Sequence, residues 1–204
     1  MKKILFALPI VLISLFSCSK EYDSTQNSGE TKETYIDASS KTTWNYYSLS
    51  EKKIVGTGEE NDEDNESWSK RSDWDFAVRR YLIRTNSGAS TSISSQGGVY
   101  TFNSSISFSS VSKVPENATF VADKLIATEE MNGTTTNTVK SETTVIVFKK
   151  NEDGSLVMPP LYLKAPVYIF RTANGEKYYK VQFTQYQNEN SVTGHVKFYS
   201  EEIE

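Results

Sequence analysis

The chain has 204 residues, a formal net charge of -4, one cysteine and one histidine. An acidic balance with no basic patch argues against nucleic acid and against electrostatic attraction to an anionic membrane. A single cysteine excludes a disulfide-stapled fold, and a single histidine excludes the histidine clusters of zinc sites.

The N-terminus is Met1-Lys2-Lys3, followed by an apolar run from Ile4 to Phe16 and then Ser17-Cys18. That run is too short to span a bilayer comfortably, so it reads as a secretory signal over residues 1–17. The window Leu15-Phe16-Ser17-Cys18 resembles a bacterial lipobox, which implies that Cys18 becomes the acylated first residue of the mature protein. Two or more acyl chains anchor stably where one is marginal. An ordinary cleaved signal with a stray cysteine is the alternative. Losing Lys2 and Lys3 takes the formal charge to -6 and leaves about 187 residues, enough for one domain with its own core. Residues 18–33 are polar and form the expected tether, with the domain over 34–204. The acids in Ser19-Lys20-Glu21-Tyr22-Asp23 resemble the export tags of surface-displayed lipoproteins of Gram-negative anaerobes.

From Tyr35 onward apolar residues recur with period two between turn signals, which predicts strands. Trp44–Leu49 reads as a strand, continued after a tight turn by Lys53-Ile54-Val55. Trp74–Arg84 is an aromatic and β-branched stretch with Arg79, Arg80 and Arg84 interleaved. Val99–Phe102, Thr119–Ala127 and Val139–Lys149 follow. The clearest hairpin joins Val167–Arg171 to Lys177–Tyr186 through Asn174-Gly175, a dipeptide suited to a type I′ turn. Asp153-Gly154 marks a second turn, and the last strand covers about Val192–Tyr199. No amphipathic helix and no repeat is evident. The expected fold is all-β, a single domain of packed antiparallel sheets.

Few residues suggest chemistry. The acidic run Glu59, Glu60, Asp62, Glu63, Asp64, Glu66 lacks the glycine and distal glutamate of an EF-hand loop and reads as a solvated surface loop. His195 shares the polar face of its strand with Thr193, Lys197 and Tyr199, which favours a solvent-facing position over a catalytic one. Nothing singles out a catalytic pair of carboxylates, so no enzyme is expected. Beyond Met1, the methionines are Met131 and Met158, both in loop-like segments: Glu130-Met131-Asn132-Gly133 and Val157-Met158-Pro159-Pro160. Each reads either as a loop residue filling a surface gap or as a soft thioether facing haem iron.

Several blocks together resemble the HmuY family of surface haem-binding lipoproteins: Tyr35–Ser39, Thr43–Ser48, Trp74–Tyr81, Arg84–Gly88, Gly97-Gly98 and Lys180–Tyr186. The resemblance implies a right hand of β-strands that grips haem between loops, with the iron bound from both sides. The best-known member uses two histidines and some relatives use methionine; here neither ligand-bearing region contains a histidine, and Met131 and Met158 lie in those regions. It therefore implies haem as the ligand with Met131 and Met158 as its axial pair. The implied role is a haemophore in the outer membrane, anchored by lipid alone and exposed at the cell surface. It would take haem from host or dietary haemoproteins and pass it to a TonB-dependent receptor; cleavage of the tether would shed it. A methionine pair favours ferrous over ferric haem, so binding should be tighter under reduction. Aromatic residues near the grip would stack on the porphyrin, with Tyr162, Tyr168 and others as open candidates, and an arginine or lysine would meet a propionate. Competing readings are a binding module for another tetrapyrrole, a glycan or a protein, and a structural surface lipoprotein.

Overall fold

In Thr43–Ser48, alternate side chains sit on opposite faces of one strand, yet Trp44, Asn45, Tyr46, Tyr47 and Ser48 are all buried. A strand without a wet face must lie inside a sheet that is covered on both sides. The computed structural model, which describes residues 32–102, 106–129, 135–158 and 160–204, shows that arrangement. The expected signal peptide, Cys18, nearly all of the tether and Met131 lie outside the described residues.

The described strands are β1 (Thr34–Asp37), β2 (Thr43–Ser48), β3 (Lys53–Glu59), β4 (Phe76–Arg79), β5 (Leu82–Thr85), β6 (Gly98–Thr101) and β7 (Lys124–Glu129). They continue with β8 (Thr135–Lys140), β9 (Ile146–Phe148), β10 (Tyr162–Lys164), β11 (Tyr168–Arg171), β12 (Tyr178–Gln187) and β13 (Thr193–Ile203). One sheet runs β1-β13-β12-β11-β6 and a second β3-β2-β4-β5, while β7–β8 and β9–β10 are separate two-stranded hairpins. All pairings between these strands are antiparallel. The all-β expectation is met.

The two larger sheets pack face to face. Phe76 of β4 lies at the junction, with ring centroids 5.3 Å from Tyr47 in its own sheet and 5.1 and 5.6 Å from Phe170 and Phe198 in the other. Ile36, Val78, Ile83, Val181, Phe183 and Val196 complete this core. The outer face of the five-stranded sheet is covered by residues of the 106–120 segment, whose Phe108, Val111 and Phe120 pack with Val167 and Ile169.

The outer face of the four-stranded sheet is covered by a helix that the sequence reading did not anticipate. The acidic run is not wholly a solvated loop: Asp62–Ser69 is helical (α1), with the Asp64 N–H donating to the Asn61 side chain at 2.8 Å. Acidic residues in that first turn suit the positive end of the helix. Burial of Trp68 docks the helix. Its ring stacks on Tyr46 at 3.8 Å and lies over Gly56 and Gly58 of β3, where side chains would collide with the indole. Glu60 is half-buried as well, pairing with Arg79 and Arg84 at 3.0 and 3.2 Å and accepting from the Trp44 indole at 2.6 Å. Burial alone would raise the Glu60 pKa, but Arg84, the Trp44 N–H and Arg79 outweigh it and hold the carboxyl below its usual range.

Three long strand expectations divide. Trp74–Arg84 becomes β4 and β5, joined at Arg80 and Tyr81, with Arg80 at φ 55°. The Arg80 N–H donates to Ala38 O, and its guanidinium donates to Ser39 O and the Thr193 hydroxyl; these bonds hold a conformation that usually calls for glycine. Thr119–Ala127 makes an isolated bridge at Val121 to Val99 before β7 begins. Val139–Lys149 divides into β8 and β9 because residues 141–145 pair with β5 instead: Ser141 N–H donates to Ile83 O and Val145 N–H to Tyr81 O, both at 2.9 Å. The Asn174-Gly175 hairpin is present, but not as a type I′ turn. Gly175 takes φ 76° while Asn174 is not left-handed, and Gly175 N–H bonds to Thr172 O within a longer loop closed by Thr172 and Lys177.

Candidate functional site

The strip 141–145 sets the position of both small hairpins, because β8 ends and β9 begins on it. The β7 side is fixed separately, just before its first residue. Asp123 accepts from Thr85 N–H and the Ser90 hydroxyl, and its own N–H donates to Ser87 Oγ. On the far side, β10 runs through Ala165-Pro166-Val167 into β11.

A cleft of about 700 Å³ lies at these roots. Its wall takes Tyr100 from β6, Val121 from the approach to β7, Thr144 from the strip, Val147 from β9, and Pro166 and Tyr168 from the way into β11. The volume falls within the range of small-molecule and cofactor sites. Burial pushes the Tyr168 phenol up to about 12, and its hydroxyl donates to Thr144 O at 2.9 Å. Tyr168 therefore stays protonated and engaged, which suits an aromatic wall and not a phenolate metal ligand. Glu142, also in the wall, pairs with Lys124 across the mouth, both more than half exposed.

The β9–β10 hairpin has two different faces. Phe148 packs edge-on to Tyr81 at 4.9 Å and Tyr162 edge-on to Tyr186 at 5.5 Å, so that face is held on the body. Val147 and Leu163 are paired on the other face; with Leu161, whose O accepts from Lys149 N–H, they expose about two-fifths to half of their surface. An apolar face left in water beside a cleft is a feature to account for.

Met158 stands in a break of the same hairpin. Phe148 pairs with Tyr162 but Lys150 with Leu156, so both Val157 and Leu161 stand opposite Lys149. Lys149 accepts from Val157 N–H and donates to Leu161 O, spanning both ends of this large bulge. Pro159 and Pro160 have no N–H with which to close the ladder. Met158 is 60% exposed.

Of the residues singled out from sequence, Met158 is displayed on the hairpin but does not line the cleft, and Met131 lies outside the described residues. Tyr168 lines the cleft; Tyr162 instead lines a second depression, of about 410 Å³, on the body side of the hairpin. His195 is in neither. It is half-buried on β13, its Nδ1 2.6 Å from the Tyr35 hydroxyl. Among the described residues no group of three or more His, Cys, Asp or Glu could hold a metal ion, and no helix is long and apolar enough to cross a membrane. Sequence reasoning missed Val147, Leu161 and Leu163. The signal was Leu161-Tyr162-Leu163, apolar on both faces of a hairpin with only one face on the body.

The architecture is that of an all-β domain with two packed sheets and a cleft at the roots of two hairpins. The family model described as HmuY protein matches residues 40–199, and the chain belongs to that family. No curated protein matches it. The solved structures to which it is similar include a candidate HmuY-like haem-binding protein from Bacteroides vulgatus, at 22% identity and a TM-score of 0.59, covering 82% of this chain and 89% of that one. A candidate lipoprotein from Bacteroides fragilis is similar at 20% identity and a TM-score of 0.58, covering 86% and 92%. The apo HmuY analog of Tannerella forsythia follows at 20% identity and 0.53, covering 85% and 95%. At these identities the structural likeness establishes the fold.

Proposed function

We propose that this protein is a haem-binding surface lipoprotein and not an enzyme. It is anchored in the outer membrane through acylated Cys18, and it captures haem and passes it to a TonB-dependent receptor, host or dietary haemoproteins being the source. The iron is held between Met158 and Met131. The observation that carries the reading is Met158, thrust out of its ladder at a proline-flanked bulge on a hairpin whose free face is apolar. A flat apolar ligand would cover Val147, Leu161 and Leu163, and a thioether is a soft donor of the kind that binds haem iron. Tyr100 and Tyr168 offer aromatic surface in the cleft, and Lys124 is the cation at its mouth that could exchange Glu142 for a propionate. Haem supplies the iron; the chain supplies donors, apolar cover and a charged rim.

The test is a haem titration of the purified protein in air and under dithionite, followed by absorption spectra. Tighter binding under dithionite is expected, and Met131→Ala and Met158→Ala should each weaken it and change the spectrum. No Soret change in either redox state would remove haem as the ligand. Spectra indifferent to both substitutions would remove the methionines.

A further inference from the structure

We propose that Met158 is a reversible oxidation site, and that its sulfoxide switches haem capture off; the inference rests on the haem reading above. The residue is open to solvent: Met158 is 60% exposed and belongs to none of the three apolar clusters. The bulge keeps it there, because Lys149 already bonds Val157 and Leu161 on either side, and the prolines that follow offer no N–H to restore the pairing. Composition makes it a preferred target. The chain has one cysteine, and with Cys18 lipidated and Met1 removed with the signal, no thiol remains and Met131 and Met158 are the only methionines. A peroxide reaching the domain finds no thiolate to consume it first.

The chemistry competes directly with iron binding. A lone pair on the Met158 sulfur attacks one oxygen of a hydroperoxide. The S–O bond forms as the O–O bond breaks, and the second oxygen leaves with its electron pair and takes a proton to become water or an alcohol. Sulfur is oxidised by two electrons and the peroxide is reduced by two. The product is polar, and the one lone pair left on its sulfur is a poorer donor to ferrous iron than the thioether it replaces. Methionine sulfoxide reductases, drawing two electrons from a dithiol, reverse the step and release the oxygen as water. Because coordination draws electron density from the sulfur and the macrocycle covers the side chain, bound haem slows attack of peroxide on Met158.

The full-length lipoprotein in detergent is treated with hydrogen peroxide, quenched with catalase, and read in two ways: mass spectrometry of the peptide containing residue 158, and haem titration under dithionite. We expect one added oxygen at Met158 and an affinity loss of at least about tenfold, as for other losses at a metal's ligands. Reductases of both stereospecificities should restore binding, and protein saturated with haem under dithionite before exposure should oxidise more slowly at residue 158. Met158→Leu, titrated in parallel, should be weak beforehand and lose little more on treatment. Unchanged affinity with Met158 fully oxidised overturns the switch, as does an equal peroxide effect in Met158→Leu. Untreated protein that binds no haem overturns the haem reading and the switch with it, whereas normal binding before treatment isolates a failure to the switch alone.

Discussion

Asp123 offers a quantitative test of how the first hairpin is anchored. Its carboxylate is buried and accepts from Thr85 N–H at 2.8 Å, Thr85 Oγ1 at 2.6 Å and Ser90 Oγ at 2.6 Å. Those bonds and Arg84 favour the charged form, but burial outweighs them and raises the pKa from 3.8 to about 6. A raised carboxyl pKa means that the folded state binds the proton more tightly than the unfolded one. The charged form therefore costs stability above the folded pKa, and the cost disappears as pH falls toward the unfolded value. A shift of that size corresponds to about 3 kcal/mol when fully developed, of which about 1 kcal/mol should be regained between pH 7 and pH 5. Urea unfolding followed by tryptophan fluorescence at the two pH values, with Asp123→Asn as the reference, removes the contribution of other titrating groups. The stability of the natural protein relative to Asp123→Asn should rise on acidification by about that amount. A difference that is flat across this range, or that grows on going to higher pH, would refute the reasoning.

Replacing both Pro159 and Pro160 with alanine supplies two backbone N–H donors next to Met158; haem affinity should fall although both methionines remain, and a titration matching the natural protein would show that the bulge does not matter for binding. Glu60→Gln leaves Arg79 and Arg84 without their carboxylate. The loss should be about 3 kcal/mol in denaturant unfolding, at the low end for a buried pair because the Glu60 side chain keeps 23% exposure. Gly58→Ala places a Cβ 2.5 Å from the Trp68 indole nitrogen, so α1 must shift at a cost of about 1–3 kcal/mol; an unchanged unfolding midpoint would mean that the helix is not held there.

Strands were legible wherever one chain segment carried its own pattern. Trp44–Leu49, Val99–Phe102 and the pair around Asn174-Gly175 needed only period two and a turn signal. Divisions imposed by distant partners were not legible. Nothing local marks Ser141–Val145 as the partner of β5 instead of part of a longer β8, and Arg80 is left-handed because Ser39 and Thr193 hold it. The helix shows the same limit. An acidic octet with one tryptophan has little amphipathic signature, and Trp68 finds its place only because Gly56 and Gly58, on the strand just before the helix, leave room on β3. At the site, the methionine in Met158-Pro159-Pro160 could be picked out from residue type and its prolines, but the apolar face beside it depends on which side of the hairpin Tyr81 and Tyr186 cover.

That dependence separates the roles of body and hairpins. A two-stranded hairpin is marginal by itself, and here each is held by what lies at its root. Ser141 and Val145 hang both hairpins from the edge of β5, Asp123 ties the start of β7 to Thr85 and Ser90, and Tyr168 bonds back to Thr144. Beyond the roots, β9–β10 has an aromatic seam on one side only, and its other side remains apolar and in water. Burial in the two packed sheets supplies the stability, so the free face and the bulge need not contribute to it. A side chain released from structural duty in this way can be chosen for its donor atom. Met158 stands exposed at such a break in the ladder, which fits the donor role proposed for it.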